Sequence, residues 1–153
     1  MKFVAVEDIA APIDHVWMRV ADIDRFEGRL KRRVGRIERR PPGPAHPGTT
    51  WQARAAVAGK VRDVAMTLEA MEVPKLLSLS GGTDGMEVTI AVELELLNLR
   101  LTRLTVTSEA RARSLAARLM LQSAKLARQT LAKRYKQRVA DFASEVEAGF
   151  ARG

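Results

Sequence analysis

Between residues 86 and 96 the chain alternates. Met86, Val88, Ile90, Val92, Leu94 and Leu96 fall on one parity, and Glu87, Thr89, Glu93 and Glu95 on the other. Period two with one apolar side predicts a half-buried antiparallel strand. The same reasoning predicts strands over 2–9 (KFVAVEDI) and over VGRIERR, and strands from TWQARAAVAG, KVRDVAMTLEAMEVP and KLLSLS, with GGTDG (81–85) as a turn. Within these, Trp51, Ala53, Ala55 and Val57 share a parity, as do Val64, Met66 and Leu68. In LRLTRLTVT (99–107) the apolar parity switches from Leu99 and Leu101 to Leu104 and Val106, which predicts a bulge or bend near Thr102 and Arg103.

Two stretches change period. Ile13, Val16, Trp17 and Val20 recur at i, i+3, i+4 and i+7, one face of a helix, with Pro12 suited to its first position and Asp14 to its positive end. DIDRFEGRLKRR reads as a second short helix with Ile23, Phe26 and Leu30 on its apolar side and Asp22 as cap. From about Ser108 to Ala151 there is no Pro, and Ala117, Met120, Leu121, Ala124, Ala127, Leu131, Tyr135, Val139, Phe142, Val146 and Phe150 step by threes and fours. This is one long amphipathic helix or two in line. Some 36–40 helical residues would span roughly 55–60 Å, against a radius of gyration of about 15 Å for a domain this size. The helix therefore overhangs the body or breaks near its start. Residues 41–50 hold four prolines and are a loop.

The predicted order is strand, two short helices, about six further strands, one terminal helix. An antiparallel sheet needs its apolar face covered, and only the terminal helix is long enough to do it. The helix pair then closes one end, with Trp17 as its wedge. This is an α+β chain of 153 residues forming one domain over 1–153.

Composition narrows the chemistry. Cys is absent, which removes disulfides, thiolate metal sites and Cys nucleophiles. No apolar run approaches the roughly 20 residues of a membrane-spanning helix, and the N-terminus is unlike a secretory leader, so a cytoplasmic location is expected. The net charge of +8 is concentrated: residues 25–40 hold eight Lys/Arg and two acids, and residues 110–140 hold nine Lys/Arg and no acid. Such clustering suits an anionic partner, or simply a solvated face.

The order of elements, together with Ala11-Pro12, Asp14, Val16-Trp17 and Asp22 after the first strand, resembles the START-like, or SRPBCC, superfamily, whose bacterial members are called polyketide cyclase/dehydrase and lipid transport proteins. The resemblance covers essentially the whole chain. It implies a helix-grip fold: a curved antiparallel sheet of about seven strands wrapped around the C-terminal helix, with a cavity between them. Members bind lipids, sterols, polyketides or hormones; some are enzymes, and one branch is ribosome-associated. Where the family carries a further aromatic after the Asp, this chain has Phe26.

Candidate liners of that cavity are Trp51, Met66, Leu68, Leu79, Val88, Ile90 and Val92 from strands, and Leu131 and Tyr135 from the helix. The same residues would serve as packed core. Only four Phe, two Trp and one Tyr are present, and plentiful Ala and Met leave room or adapt to an apolar ligand, which tilts the reading to a pocket. No catalytic constellation is visible. His15 and His46 have no orienting acid in sequence and no metal-ligand spacing. Glu93 and Glu95 read as an outer strand face. SGGTDG lacks the Lys and helix of a phosphate loop.

The function expected is binding, with transport as an extension, of a hydrophobic or amphipathic small molecule, with no cofactor or metal. The alternatives are a ribosome- or protein-associating regulator acting through the basic faces, and a cyclase or dehydratase with unassigned cavity residues. Leu115, Leu119 and Leu126 form a second apolar stripe beside Arg111, Arg118 and Lys125, with Lys133 and Lys136 continuing on that side. That stripe fits an anionic membrane surface or a homodimer contact. RNA fits less well, because exposed aromatics for base stacking are lacking among the cations.

Overall fold

The computed structural model describes residues 1–153. Seven strands form one antiparallel sheet: β1 (Lys2–Ile9), β2 (Ile37–Arg40), β3 (Thr50–Val57), β4 (Lys60–Glu72), β5 (Leu76–Thr83), β6 (Met86–Asn98) and β7 (Leu101–Ala112). Their order across the sheet is β1-β7-β6-β5-β4-β3-β2. After β1 come α1 (Ile13–Val20) and α2 (Ile23–Val34), and after β7 come α3 (Leu115–Leu126) and α4 (Arg128–Arg152). The meander β3 to β7 needs only short turns, the proline-rich loop joins β2 to β3, and β1 closes the far edge by pairing with β7.

Local chemistry accounts for most element ends. Pro12 precedes α1 with extended geometry, so it caps the helix instead of occupying its first turn as expected. The Asp22 carboxylate accepts from the Arg25 N–H and the Ser114 hydroxyl accepts from the Ala117 N–H, each satisfying a donor the helix start leaves free. The terminal helix starts at Leu115, later than the composition of 108–112 suggests: Ser108 to Ala112 pair with Met86 to Ile90 of β6, and sheet pairing overrides helix propensity. Gly81 to Thr83, expected in a turn, belong to β5, which leaves only Asp84 and Gly85 to turn the chain. The parity switch after Leu99 has a different origin from a bulge at Thr102. Leu99 and Arg100 are the hairpin turn, and the register shift lies on β6 between Leu96 and Asn98.

The terminal helical region breaks once, at Ala127 (φ −105°, ψ 18°). α4 runs along β1, and its end packs on α1. The buried core sits at one end of the sheet, where Ile9, Leu68, Leu77, Leu94 and Leu104 meet Val16, Trp17 and Val20 of α1 and Ala143 and Val146 of α4. Trp17 is the wedge the sequence suggests, at 8% exposure. Thr102 is fully buried and donates to the Ala11 carbonyl at 2.9 Å, tying the start of β7 to the entry into α1.

Candidate functional site: the half-open inner face

The register places the inward residues in rows across the sheet. One row runs Phe3–Ser108–Ile90–Leu79–Leu68 from β1 to β4. The next runs Ala110–Val88–Gly81–Met66–Trp51–Arg39 from β7 to β2. A third contains Ala5, Val106, Val92, Leu77 and Met71. All seven strand residues singled out from the sequence therefore lie on one face, in three adjacent rows. Leu131 and Tyr135 stand one helical turn apart on α4.

These residues differ from the core beside them in burial. Leu68 is fully buried and belongs to the core, whereas Trp51, Met66, Leu79, Val88, Ile90, Val92, Leu131 and Tyr135 are only half-buried. The accessible surface of the whole chain is 9684 Å², against about 7,700 Å² for a compact monomer of 16.9 kDa. α4 packs along β1, and the inward residues toward β3 are only half-buried.

The polar groups on this face are few. The Tyr135 hydroxyl and Ser108 Oγ are 2.9 Å apart, and the Tyr135 ring lies against Phe3 with centroids at 5.5 Å. Burial pushes the Tyr135 phenol above its ordinary value of 10.0, against the smaller opposing effect of the Ser108 hydrogen bond, so it stays protonated at neutral pH. Arg62 shares the inward parity of Val64 and Met66, and its guanidinium donates to the Val57 carbonyl (2.9 Å) and to Asp84 (2.7 Å). Glu7 shares the parity of Ala5 and Ile9, is half-buried, and has no hydrogen-bond or ion-pair partner. Ser108, Arg62 and Glu7 were not singled out from the sequence. Strand parity alone would have found them, since each sits two residues from an inward apolar neighbour.

Trp51 closes the β3 end of the face through a half-buried polar cluster. Its indole N–H donates to Glu27 of α2 at 3.0 Å. Arg39 of β2 donates to the same carboxylate through Nε at 2.8 Å and also through Nη2, reaches the Gly43 carbonyl at 2.9 Å, and stacks over the Trp51 ring at 5.8 Å. Burial pushes the Glu27 carboxyl up, but the bonds from Trp51 and Arg39, the Arg39 charge and the bond from Lys31 together hold it below its ordinary 4.5. On the other side of α2, Phe26 meets Phe142 of α4 with centroids at 5.8 Å. α2 is thus clamped between sheet edge and terminal helix.

The remaining sequence candidates lie elsewhere. His15 bonds the Val146 carbonyl at 3.2 Å and packs on Phe150, with no acid on its ring, and His46 bonds the adjacent Pro47 carbonyl in the proline-rich loop. Glu93 and Glu95 are outward on β6, opposite Thr105 and Arg103. Of the surface depressions, one of about 400 Å³ lies around the helix break at Ala127, and one of about 320 Å³, bounded by Asp24, Glu27, Gly28, Lys31 and Arg39, lies at the β2 edge of the inner face. No helix is long and apolar enough to cross a membrane.

An antiparallel sheet gripping a terminal helix, with a helix pair at one end and an apolar inner face left half open, defines a helix-grip protein of the SRPBCC class. The sequence matches the family described as polyketide cyclase/dehydrase and lipid transport over residues 1–147, and the chain belongs to that family. Solved structures share its fold. The aromatase/cyclase ZhuI from Streptomyces sp. R1128 is 17% identical, with 96% of this chain and 93% of that one covered at a TM-score of 0.64. A truncated norcoclaurine synthase from Thalictrum flavum is 10% identical, with 95% and 92% covered at 0.68. Ara h 8.0201 is 15% identical, with 100% and 99% covered at 0.59. No curated protein matches the sequence.

Proposed function

We propose that the inner face binds one hydrophobic or amphipathic small molecule between β3–β7 and α4. One observation carries this reading: along the same strands, inward apolar side chains pass from buried at the α1 end (Leu68, Leu77, Leu94) to half-buried over Met66, Leu79, Val88, Ile90 and Val92. Apolar surface left accessible to water is favourable to cover, at roughly 25 cal/mol per Å². The ligand's apolar body lies on the strand residues and under Leu131. Its polar end meets the Ser108–Tyr135 hydroxyl pair, which offers both a donor and an acceptor. The family's description, which includes lipid transport, agrees with this class of ligand. The proposal is for binding, with no reaction assigned.

The test is a fluorescence titration with an apolar probe whose emission rises on leaving water. Wild type should show one saturable site. Ile90→Arg, at a half-buried position on the inner face, should weaken it by about tenfold or more, with circular dichroism checking that the variant is folded. Non-saturable binding, or equal affinity in the folded variant, would remove the inner face as the site.

A further inference from the structure

We propose that α3 is a docking element for an anionic lipid surface. α3 has two apolar sides, and only one is used internally. Ala117 is buried, and Met120, Leu121 and Ala124 are half-buried beneath the helix. On the opposite side Leu115, Leu119 and Leu126 are 73%, 56% and 92% exposed. At 3.6 residues per turn these three fall within a sector of about 40°, and they extend roughly 16 Å along the axis. Three leucines held in water on one line, on a helix already anchored by its other side, form an unpartnered apolar surface.

Charge identifies what covers it. Arg118 and Lys125 flank the leucines on one side, about 60–80° around the helix, and Arg128 follows at the start of α4. Arg118, Lys125, Arg128, Lys133, Arg134, Lys136 and Arg138 are all exposed, and none is in an ion pair. In the other basic segment five of the eight cations, Arg29, Lys31, Arg36, Arg39 and Arg40, are paired with a carboxylate, and Arg25, Arg32 and Arg33 are not. The cations around α3 and the first half of α4 are therefore free, and no acid lies between Glu109 and Asp141 to neutralise them.

An anionic bilayer is complementary to this surface in both respects. Its acyl boundary takes the leucines, and its headgroups take the cations, each cation near the surface adding to the attraction. A second copy of α3 would bring like charges together with no acid to offset them. A nucleic acid would satisfy the cations and leave the leucines in water, and the face offers no aromatic for base stacking. This inference does not depend on the inner face holding a ligand.

The test is flotation of the full chain with vesicles of phosphatidylcholine alone and with about one-third phosphatidylglycerol. At about 0.05 M salt the wild type should float only with the anionic vesicles, and at about 0.5 M binding should fall at least tenfold. Leu119→Gln/Leu126→Gln should weaken binding by about tenfold or more, with circular dichroism and thermal midpoint unchanged because both positions are exposed. Arg118→Gln/Lys125→Gln should weaken it and flatten the salt dependence. Three results would overturn the proposal: no flotation at low salt; flotation insensitive to the leucine change, which would mean charge acting elsewhere; or a self-associated species in sedimentation velocity that the leucine change dissolves while vesicles go unbound.

Discussion

Replacing Glu27 tests whether the clamp on α2 is structural. The side chains of Glu27 and Arg39 are 12% and 13% exposed, so the pair is largely screened from water. Glu27→Gln removes the charge that Arg39 and Lys31 face, and weakens the acceptor for the Trp51 N–H. Breaking a buried pair by removing one partner costs about 3–5 kcal/mol. Here Asp24 stays beside Arg39 at 2.6 Å and offsets part of the loss, so about 2–3 kcal/mol is expected at neutral pH. For a chain of 153 residues that is a fall of roughly 5–10 °C in thermal midpoint. The difference also has a pH signature. Glu27 is held below 4.5 in the folded state, so the stability it contributes is present above the unfolded value and is lost as pH falls through the lowered folded value. Melting curves of wild type and variant should approach each other as the pH falls below 4.5 and meet once it is below the lowered folded value. A double-mutant cycle with Trp51→Phe should show coupling of about 1 kcal/mol. A loss under about 0.5 kcal/mol, the size of an exposed pair, or a difference independent of pH, would refute the clamp.

Three further outcomes follow from the fold. Leu68→Ala, at a fully buried position, should cost about 2–5 kcal/mol in denaturant unfolding with the slope unchanged. Gly81→Ala should cost about 3 kcal/mol or more, because a methyl there overlaps the Ala65 carbonyl oxygen on the neighbouring strand; an unchanged melting temperature would contradict that packing. Tyr135→Phe should cost about 1 kcal/mol by leaving Ser108 without its partner, and the wild-type phenol should deprotonate above 10.0 in a spectrophotometric titration.

Where structure depends on local period, it was legible in the residues. The alternation from Met86 to Leu96 and the Ile13–Val16–Trp17–Val20 stripe became β6 and α1: the α1 stripe packs in the core, and the β6 parity faces inward as far as Leu94, with Leu96 exposed. The Asp22 cap needed only its own turn. Long-range pairing was not legible. Ser108 to Ala112 look helical in isolation, and only β6 holds them in the sheet. The break at Ala127 falls in an unbroken apolar stripe with no Gly or Pro to mark it. Parity puts the Trp51 ring on the inner face, while Glu27 and Arg39, 24 and 12 residues earlier, engage its N–H and its ring face only through the fold. The inner-face polar groups Arg62 and Ser108 were readable from parity, yet their partners Asp84 and Tyr135 come from a turn and a helix that only the fold brings near.

Native mass spectrometry of the protein as purified, followed by solvent extraction and by addition of a panel of fatty acids, sterols and aromatic polyketides, tests the central claim most directly. A ligand-binding inner face gives a one-to-one adduct, either carried through purification or formed with a member of the panel, that Ile90→Arg reduces by about tenfold or more. A bare mass throughout, or an adduct of equal abundance in that variant, would contradict it.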